Sequence, residues 1–202
     1  MSLVAGPDGL ARCGWAGEDP LYLRYHDHEW GRPVTDERRL FEKLSLEAFQ
    51  SGLSWLTILR KRDNFRAAFA GFDPQRVAAF TASDVQRLLR DAGIVRNRAK
   101  IEATIHNARA LAGMPGTLSD LIWAYRPRPR RPARELADLP TTTTESTALA
   151  RELKRRGFRF VGPTTVYALM QACGVVNDHL LGCVARGADP EVSQERAATP
   201  GA

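Results

Sequence analysis

The amino-acid sequence predicts an all-α fold. Apolar residues recur at helical spacing almost throughout, and no segment shows the strict alternation typical of a strand. Signals for the start and the end of helices also frame the periodic segments. With 202 residues, 44% of them hydrophobic, the chain is long enough to bury a core as one domain or as two joined helical lobes.

Helix signals follow one another along the first half of the chain. A start signal at 35–36 precedes apolar residues at helical spacing over 40–48. The Asp-Pro pair at 73–74 fits an N-cap followed by proline at the first helical position. The segment 83–86 fits a capping box, and Gly93 marks the end of the helix that it begins.

The second half contains three more helical patterns and one interruption. Helices are predicted over 101–111 and 118–125. The sequence RPRPRRP at 126–132 cannot continue a helix and predicts a surface connection of polyproline II character. Its arginines could contact DNA phosphates, although a solvated, charge-rich linker is the favoured interpretation. Helical signals resume at 142–145, and a last helix covers 164–173.

These patterns divide the chain into a flexible N-terminus at 1–11, a helical domain at 12–184 and a disordered tail at 185–202, which is rich in Ala, Gly, Pro, Glu and Ser. No targeting segment is visible, and the longest uncharged run, 161–177, falls short of the roughly 20 apolar residues of a membrane span. Three cysteines form an odd, sparse set that indicates reduced thiols. We therefore expect a cytoplasmic protein without a membrane partner.

The net charge of +6 and the pI of about 9.6 favour polyanionic partners such as nucleic acid. A basic enzyme without a nucleic-acid role is equally compatible with this charge. Charge alone therefore leaves the partner open.

Four possible metal ligands stand near the two ends of the chain: Cys13, His26, His179 and Cys183. The last two share one face if they lie on a helix. Two cysteines and two histidines complete the tetrahedral shell of a structural zinc ion, which would close a very long loop. Separate buried cysteines and histidines are an equally open interpretation, and the spacing differs from that of a zinc finger.

Aromatic residues are concentrated near the N-terminus. The cluster consists of Trp15, Tyr22, Tyr25, Trp30 and Trp55. Rings of this kind can stack on a base that has been flipped out of a duplex. For any single ring, packing in the core is the alternative interpretation.

Glu47 stands in a mostly apolar helical stretch, between Leu46 and Ala48. If it is buried, its carboxylate must be paired or hydrogen-bonded, and an acceptor-only group suits the amino group of adenine or a cationic base. If it is exposed, it is simply a good helix former. The sequence leaves both interpretations open.

The segment from Arg156 to Thr165 joins two predicted helices through a turn. Gly162 permits close backbone approach, and the free N–H groups of the next helix, which begins at Thr164, suit a DNA phosphate. Arg159 adds a positive charge that would position the DNA without reading its sequence. A plain turn between two helices, or a helix–turn–helix, are the alternatives.

Four strings, taken together, carry a specific resemblance: RCGWAGEDPLYLRYHDHEWG, LEAFQSGLSW, DAGIVRNRAKIEATIHNAR and LKRRGFRFVGPTTVYALMQACGVVNDHLLGC. They run in order from Arg12 to Cys183 and span nearly the whole chain apart from its tails. In these strings the chain resembles the bacterial 3-methyladenine DNA glycosylase I family, which belongs to the helix–hairpin–helix glycosylase superfamily.

The resemblance implies a helix–hairpin–helix fold, with the hairpin at about 145–174, and one structural zinc ion that joins the two ends of the chain. It implies a monofunctional enzyme that removes 3-methyladenine from double-stranded DNA and leaves an abasic site. We expect this enzyme to be a monomer. The family's zinc ligands fall on Cys13, His26, His179 and Cys183, and its base pocket falls on Glu47, Tyr22, Tyr25, Trp30 and Trp55. Gly52 and Leu53 match the loop that fills the gap left by the flipped nucleotide.

Three positions raise questions that the resemblance does not answer. Phe49 stands where well-known members have glutamine, which puts contacts near the lesion in doubt, and the basic segment 126–132 could alter DNA affinity. Asp178 lies roughly where other superfamily members have a catalytic aspartate, but this family is regarded as lacking that residue. No lysine is placed for lyase chemistry.

Two rival hypotheses for the function remain open. One is a non-catalytic module that binds alkylated DNA, and the other is a zinc-containing helical interaction protein.

Overall fold

The structure is a computed structural model and describes residues 2–188. Over this range the chain forms nine α-helices and one two-stranded sheet. The strands are β1 (Leu3–Ala5) and β2 (Ala11–Cys13), and the helices are α1 (Pro20–His28), α2 (Glu37–Gln50), α3 (Trp55–Ala68), α4 (Pro74–Ala78), α5 (Ala82–Arg90), α6 (Arg98–Ala112), α7 (Leu118–Trp123), α8 (Thr144–Arg155) and α9 (Pro163–Ala172). The mostly helical fold confirms the predicted class, apart from the sheet.

The N-terminal sheet corrects the prediction that the chain has no strand, and its first strand lies within 1–11, the segment expected to be flexible. Strand β1 pairs antiparallel with β2, and Leu3 lies opposite Cys13. At the other end of the chain, the backbone N–H of Val184 donates to Ala11 at 2.9 Å, and Ala185 is buried. The paired segments have three residues each, too few to show a period in the sequence.

The predicted tail at 185–202 is only partly described. Residues 185–188 include a turn of 3-10 helix at Arg186–Ala188. Residues 189–202 lie outside the described residues.

Side-chain caps begin most of the helices that frame the core. Asp36 accepts from Arg39 at the start of α2, and the Asp73-Pro74 start of α4 is confirmed. The capping box of α5 uses Thr81 with Asp84, two residues before the predicted position. The cap of α8 is Thr143, one residue after the predicted Thr142. In both helices several hydroxyl-bearing residues stand close together near the start of the helix. The sequence spacing does not show which of them is the cap.

Helix α2 is the central element of the core and contacts α3, α6, α7 and α9. One group of side chains around it is fully buried and aromatic: Phe41, Phe49, Phe65, Phe69 and Phe72. The ring of Phe49 lies 4.6 Å from that of Phe65, measured between centroids. Phe49 therefore belongs to the core and is not among the residues that line the cavity described below.

The connection between α7 and α8 is exposed over most of 126–132, as expected of a solvated linker, but one of its arginines is anchored to the C-terminal segment. Arg130 donates to the buried carboxylate of Asp178 at 2.6 Å, and the backbone N–H of Leu181 donates to Ala133 at 2.8 Å. A buried carboxylate needs a partner, and an arginine from this connection supplies one. The connection is thereby attached to the C-terminal segment.

Helices α8 and α9 contact each other and are joined by the compact turn 156–162. Gly157 adopts a φ of 89°, and Phe158 donates back to Leu153 at 2.9 Å, which closes the C-terminal turn of α8. Asn107 of α6 clamps the backbone of Arg159 through hydrogen bonds of 2.7 and 3.0 Å. None of the helices formed by residues 2–188 combines the length and apolar character that a membrane span requires.

Candidate active site and metal centre

A cavity of about 250 Å³ opens where α1, α2, α9 and the start of α3 meet. Its lining residues are Trp15, Tyr22, Tyr25, Trp30, Glu47, Gln50, Trp55, Leu139, Ala168 and Gln171. The volume falls just below the roughly 300–1,000 Å³ of sites for drug-sized molecules. A cavity of this size suits a single planar base.

The aromatic cluster predicted from the sequence forms the walls of this cavity. Tyr22 and Tyr25 are three residues apart on α1 and therefore lie on one face of this helix. Asp19 caps the helix and Pro20 is its first residue, which fixes where the helix begins. The ring of Trp15 lies 5.1 Å from that of Tyr22, and the ring of Tyr25 lies 5.3 Å from that of Trp55. Trp15 also contacts Trp30 edge-on at 4.9 Å. The rings can stack on a base and also pack against one another.

Glu47 brings a carboxyl group to the same cavity. Glu47 is only 5% exposed, and no donor among residues 2–188 makes a hydrogen bond to its carboxyl group. Burial raises the pKa of Glu47 to about 8, and the positive charge of Lys43, one turn earlier on α2, opposes that rise. The exposed-helix interpretation is therefore wrong. A buried, unpaired carboxyl group favours a cation or a hydrogen-bond donor as ligand.

The indole nitrogen of Trp55 is also without a partner. This nitrogen is fully shielded from solvent and makes no hydrogen bond with any described residue. Trp55 lines the cavity at the first position of α3, where Ser54 caps the helix. Buried donors without partners are rare in proteins. A donor of this kind is typical of a site that receives a ligand or a water molecule.

The loop between α2 and α3 lies at the edge of the cavity and contains Gly52 and Leu53. Gly52 has a φ of 82°, a conformation that favours glycine, and the Leu53 side chain is 39% exposed. The side chain of Gln50, itself a lining residue, donates to the carbonyl of Leu53 at 2.8 Å. Trp55 lines the cavity on the other side of the loop. The loop is thus held next to the cavity with an apolar side chain exposed.

Lys100 of α6 supports this loop and was missed by the sequence analysis. Its ammonium group donates to the carbonyl of Phe49 at 2.9 Å and to that of Ser51 at 2.6 Å, at the C-terminus of α2. Burial lowers the pKa of Lys100. The available signal was its position three and four residues before Ala103 and Thr104, on the buried face of α6.

Four lining residues were also missed: Gln50, Leu139, Ala168 and Gln171. Ala168 and Gln171 are three residues apart on α9 and share one face. Asp178, which the sequence analysis left without a role, lies behind Gln171 and accepts a hydrogen bond from its side-chain amide at 2.9 Å. The signal for Gln171 was a polar residue directly after the apolar run 166–170 of α9.

The four predicted metal ligands meet in a second buried site. The ligand atoms of Cys13, His26, His179 and Cys183 all lie within 4.8 Å of one another. The Sγ atom of Cys183 lies 3.5 Å from Nε2 of His26 and 3.5 Å from Nδ1 of His179. These separations fit a tetrahedron with bonds of about 2.3 Å to sulfur and about 2.0 Å to nitrogen. The cluster could therefore hold a metal ion.

Hydrogen bonds orient both histidines toward this cluster. Nδ1 of His26 bonds to the carboxylate of Asp27 at 2.7 Å, and Nε2 of His179 bonds to the carbonyl of Trp30 at 3.0 Å. Because both partners are acceptors, those nitrogens carry the protons, and the other nitrogen of each ring is free to bind a metal. Arg12 in turn holds Asp27 through contacts of 2.8–3.0 Å. Trp30 thus links the metal cluster to the cavity.

The other candidate DNA contacts, Arg159, Gly162 and Thr164, lie apart from the cavity, at the turn before α9. Arg159 and Thr164 are exposed there, and Gly162 is the N-cap of α9 without a side-chain cap. The backbone N–H groups of the first turn of α9 are therefore available to an anion. From Thr164 to Gln171 the rise along the helix is about 10 Å. Helix α9 thus connects the turn to the wall of the cavity.

Comparison with known proteins decides the family. A family model described as methyladenine glycosylase matches residues 15–186. The chain belongs to the methyladenine glycosylase family.

Relatives agree with this assignment along nearly their whole length. This methyladenine glycosylase is 51% identical over 180 residues to DNA-3-methyladenine glycosylase 1 of Escherichia coli strain K12, covering 86% of this chain and 96% of the relative. A crystal structure of 3-methyladenine DNA glycosylase I superposes with a TM-score of 0.84 at 50% identity, covering 89% of this chain and all of the other. A variant of 3-methyladenine DNA glycosylase I in complex with 3-methyladenine gives a TM-score of 0.82 at 37% identity, covering 87% and 97%.

Proposed function

We propose that this protein hydrolyses the N-glycosidic bond of 3-methyladenine in alkylated double-stranded DNA and leaves an abasic site. The observation that carries the proposal is the partnerless carboxyl group of Glu47 in a cavity walled by aromatic rings. The relative from Escherichia coli is named for this activity, and a related structure contains 3-methyladenine. The reaction is base-excision repair of a methylated base.

The chemistry of the lesion explains why a single carboxyl group suffices. Methylation at N3 gives the adenine ring a positive charge while it is attached to the sugar, so the base departs as a neutral molecule and needs little acid catalysis. Water adds to the sugar carbon as that bond breaks and gives up one proton to the solvent, and the bonding electrons leave with the base. A carboxylate at Glu47 favours the cationic base over a neutral one and accepts a hydrogen bond from its amino group. The buried site strengthens this interaction, because water does not screen it.

The cavity holds the base only after it has left the duplex. We propose that Tyr22, Tyr25, Trp15, Trp30 and Trp55 stack around the extruded base, an interaction worth about 1–3 kcal/mol for each base stacked on an aromatic ring. In the same proposal, the exposed Leu53 and its neighbour Gly52 enter the gap in the duplex. The hydrogen bonds from Gln50 and Lys100 support that role, since they hold the loop in place.

We propose that α8, the turn 156–162 and α9 form the helix–hairpin–helix that holds the DNA backbone. The support is the uncapped N-terminus of α9 at Gly162, with Thr164 and Arg159 exposed beside it. Such N–H groups bind a phosphate without reading the sequence. The net charge of +6 favours the same partner.

We propose that the metal cluster holds one zinc ion. The support is the donor set, two thiols and two imidazoles at tetrahedral separations, with both rings oriented by acceptors. Four protein ligands leave no open position, so zinc would supply folding stability and no chemistry to the reaction. It would tie the N-terminal sheet and α1 to the segment after α9.

The experiment is to incubate the protein with DNA methylated by dimethyl sulfate and to identify the released bases by chromatography. The proposal predicts release of 3-methyladenine, lowered by about 10²–10³-fold in Glu47→Gln, from an ion-pair energy of about 4 kcal/mol at an effective dielectric constant of about 20. Glu102→Gln, at an exposed glutamate of α6, is the matched control and retains activity. Binding of methylated DNA without release of any base would replace the proposal by a non-catalytic binding module.

A further inference from the structure

One of the polar side chains that line the cavity, Gln171, has its orientation set by a hydrogen bond to Asp178. Gln171 lines the cavity, and its Nε2 donates to Oδ2 of Asp178 at 2.9 Å. A carboxylate only accepts hydrogen bonds, so the amide nitrogen must face Asp178 and the amide oxygen must face away from it. Within residues 2–188 that oxygen has no hydrogen-bond donor, which leaves it available in the cavity.

Asp178 is held as a hydrogen-bond acceptor by the donors around it. It is 3% exposed, its Oδ1 accepts from Arg130 at 2.6 Å, and its Oδ2 accepts from the hydroxyl of Tyr167 at 2.5 Å. With Gln171, three donors therefore converge on one buried carboxylate. If the Gln171 amide turned over, its oxygen would meet Oδ2, and two acceptors would face each other without a proton.

We propose that Gln171 is a specificity-determining residue, whose amide oxygen is a second acceptor in the cavity beside Glu47, and that Asp178 is the positioning residue that keeps the amide in this orientation. The proposal rests on the proposed function. Adenine carries an exocyclic amino group with two N–H donors, and two acceptors in one small cavity match such a group.

The same arrangement disfavours methylated guanine. Guanine carries an oxygen acceptor where adenine carries the amino group. In this cavity that oxygen would meet acceptors, and neither side would be satisfied. Sites built to hydrogen-bond one substrate group reject an analogue that leaves buried polar atoms unpaired. We therefore expect a strong preference for 3-methyladenine over 3-methylguanine, set in part by Gln171.

The decisive variant is Asp178→Asn, which supplies a donor where Oδ2 now accepts. In this variant the Gln171 amide can turn over and direct its nitrogen into the cavity. The expected result is that the ratio of 3-methyladenine to 3-methylguanine released from DNA methylated by dimethyl sulfate falls by about tenfold, the size of one misplaced hydrogen bond. Gln171→Met removes the acceptor altogether and is expected to lower the same ratio.

Tyr167→Phe is the matched control. It removes another hydrogen bond to the same carboxylate oxygen, but it leaves the carboxylate as an acceptor, so the Gln171 amide keeps its orientation. The release ratio of this variant is expected to equal that of the wild type. The melting temperature of each variant is measured alongside, and Gln171→Met carries the test if Asp178→Asn does not fold.

The outcomes separate this inference from the proposed function. If the wild type releases no 3-methyladenine, both are overturned. If the wild type releases 3-methyladenine but Asp178→Asn and Gln171→Met keep its release ratio, only the inference about Gln171 is overturned. A ratio that falls in Tyr167→Phe as much as in Asp178→Asn also overturns it, because the effect would then follow loss of packing and not the direction of the amide.

Discussion

Replacing Glu47 by glutamine is expected to stabilise the folded protein at alkaline pH, although the same change abolishes the group proposed to bind the lesion. The carboxyl group is buried and partnerless within residues 2–188, so its charged form is disfavoured. Glutamine has nearly the shape of the protonated acid and never ionises. A functional residue would then lower stability, as is common for sites that bind a charged ligand.

The pH dependence follows from the two pKa values of Glu47. Burial raises the pKa to about 8 in the folded protein, against 4.5 for the ordinary side chain. Below pH 4.5 both states are protonated and the carboxyl group costs nothing. Between these values only the unfolded chain ionises, so the stability of the wild type falls as pH rises, by about 1.36 kcal/mol per pH unit. Above pH 8 the cost reaches its limit of about 5 kcal/mol.

The assay is thermal unfolding of wild type and Glu47→Gln from pH 4.5 to pH 9.5. The variant's melting temperature is expected to exceed that of the wild type by an amount that grows with pH, to the order of 10 °C at pH 9 for a protein of this size. Glu102→Gln, on the exposed face of α6, is the control and should follow the wild type. A constant difference between Glu47→Gln and wild type across this pH range would refute the reasoning.

Three further predictions concern the metal, the core and the loop beside the cavity. The purified protein is expected to contain one zinc ion per chain by elemental analysis, and Cys183→Ser should lose it and unfold at a lower temperature; full stability without metal would contradict the assignment. Phe49→Ala should lower the free energy of unfolding in urea by about 3–5 kcal/mol, whereas a change below 1 kcal/mol would place that ring outside the core. Lys100→Met leaves two carbonyls at the C-terminus of α2, where the loop begins, without their donor, so it should cost about 1–3 kcal/mol and slow base release. Unchanged release would show that the loop needs no such support.

Local sequence signals were sufficient for most of the helices that build the site. The cap at Asp73 predicted the start of α4. The cap at Asp36 and the apolar period over 40–48 predicted the position of α2, which carries Glu47. These signals act over a few residues, and the packing of the core is consistent with the helices that they predict. The same holds for the spacing of Tyr22 and Tyr25 on α1, whose helical face becomes a wall of the cavity.

Interactions between distant parts of the chain could not be predicted in this way. Arg130 meets Asp178 across 48 positions, and Lys100 reaches Ser51 across 49. Neither pair shares a helix face or a short motif, so no period in the sequence indicates it. The state of Glu47 was undecided for the same reason, since its burial depends on α1, α3 and α9 packing around it. The N-terminal sheet escaped prediction because each strand is too short for a pattern.

The central claim is that a buried carboxylate at Glu47 binds a cationic base, and the pH dependence of kcat/KM tests it most directly. Release of 3-methyladenine from methylated DNA is measured for wild type and Glu47→Gln between pH 6 and pH 9.5. Because kcat/KM reports the ionisation of the free enzyme, the wild-type value is expected to rise with pH and to level off above about pH 8, the pKa of Glu47. The variant should be slower and independent of pH over this range. Equal rates, or the same rise with pH in both proteins, would contradict the account.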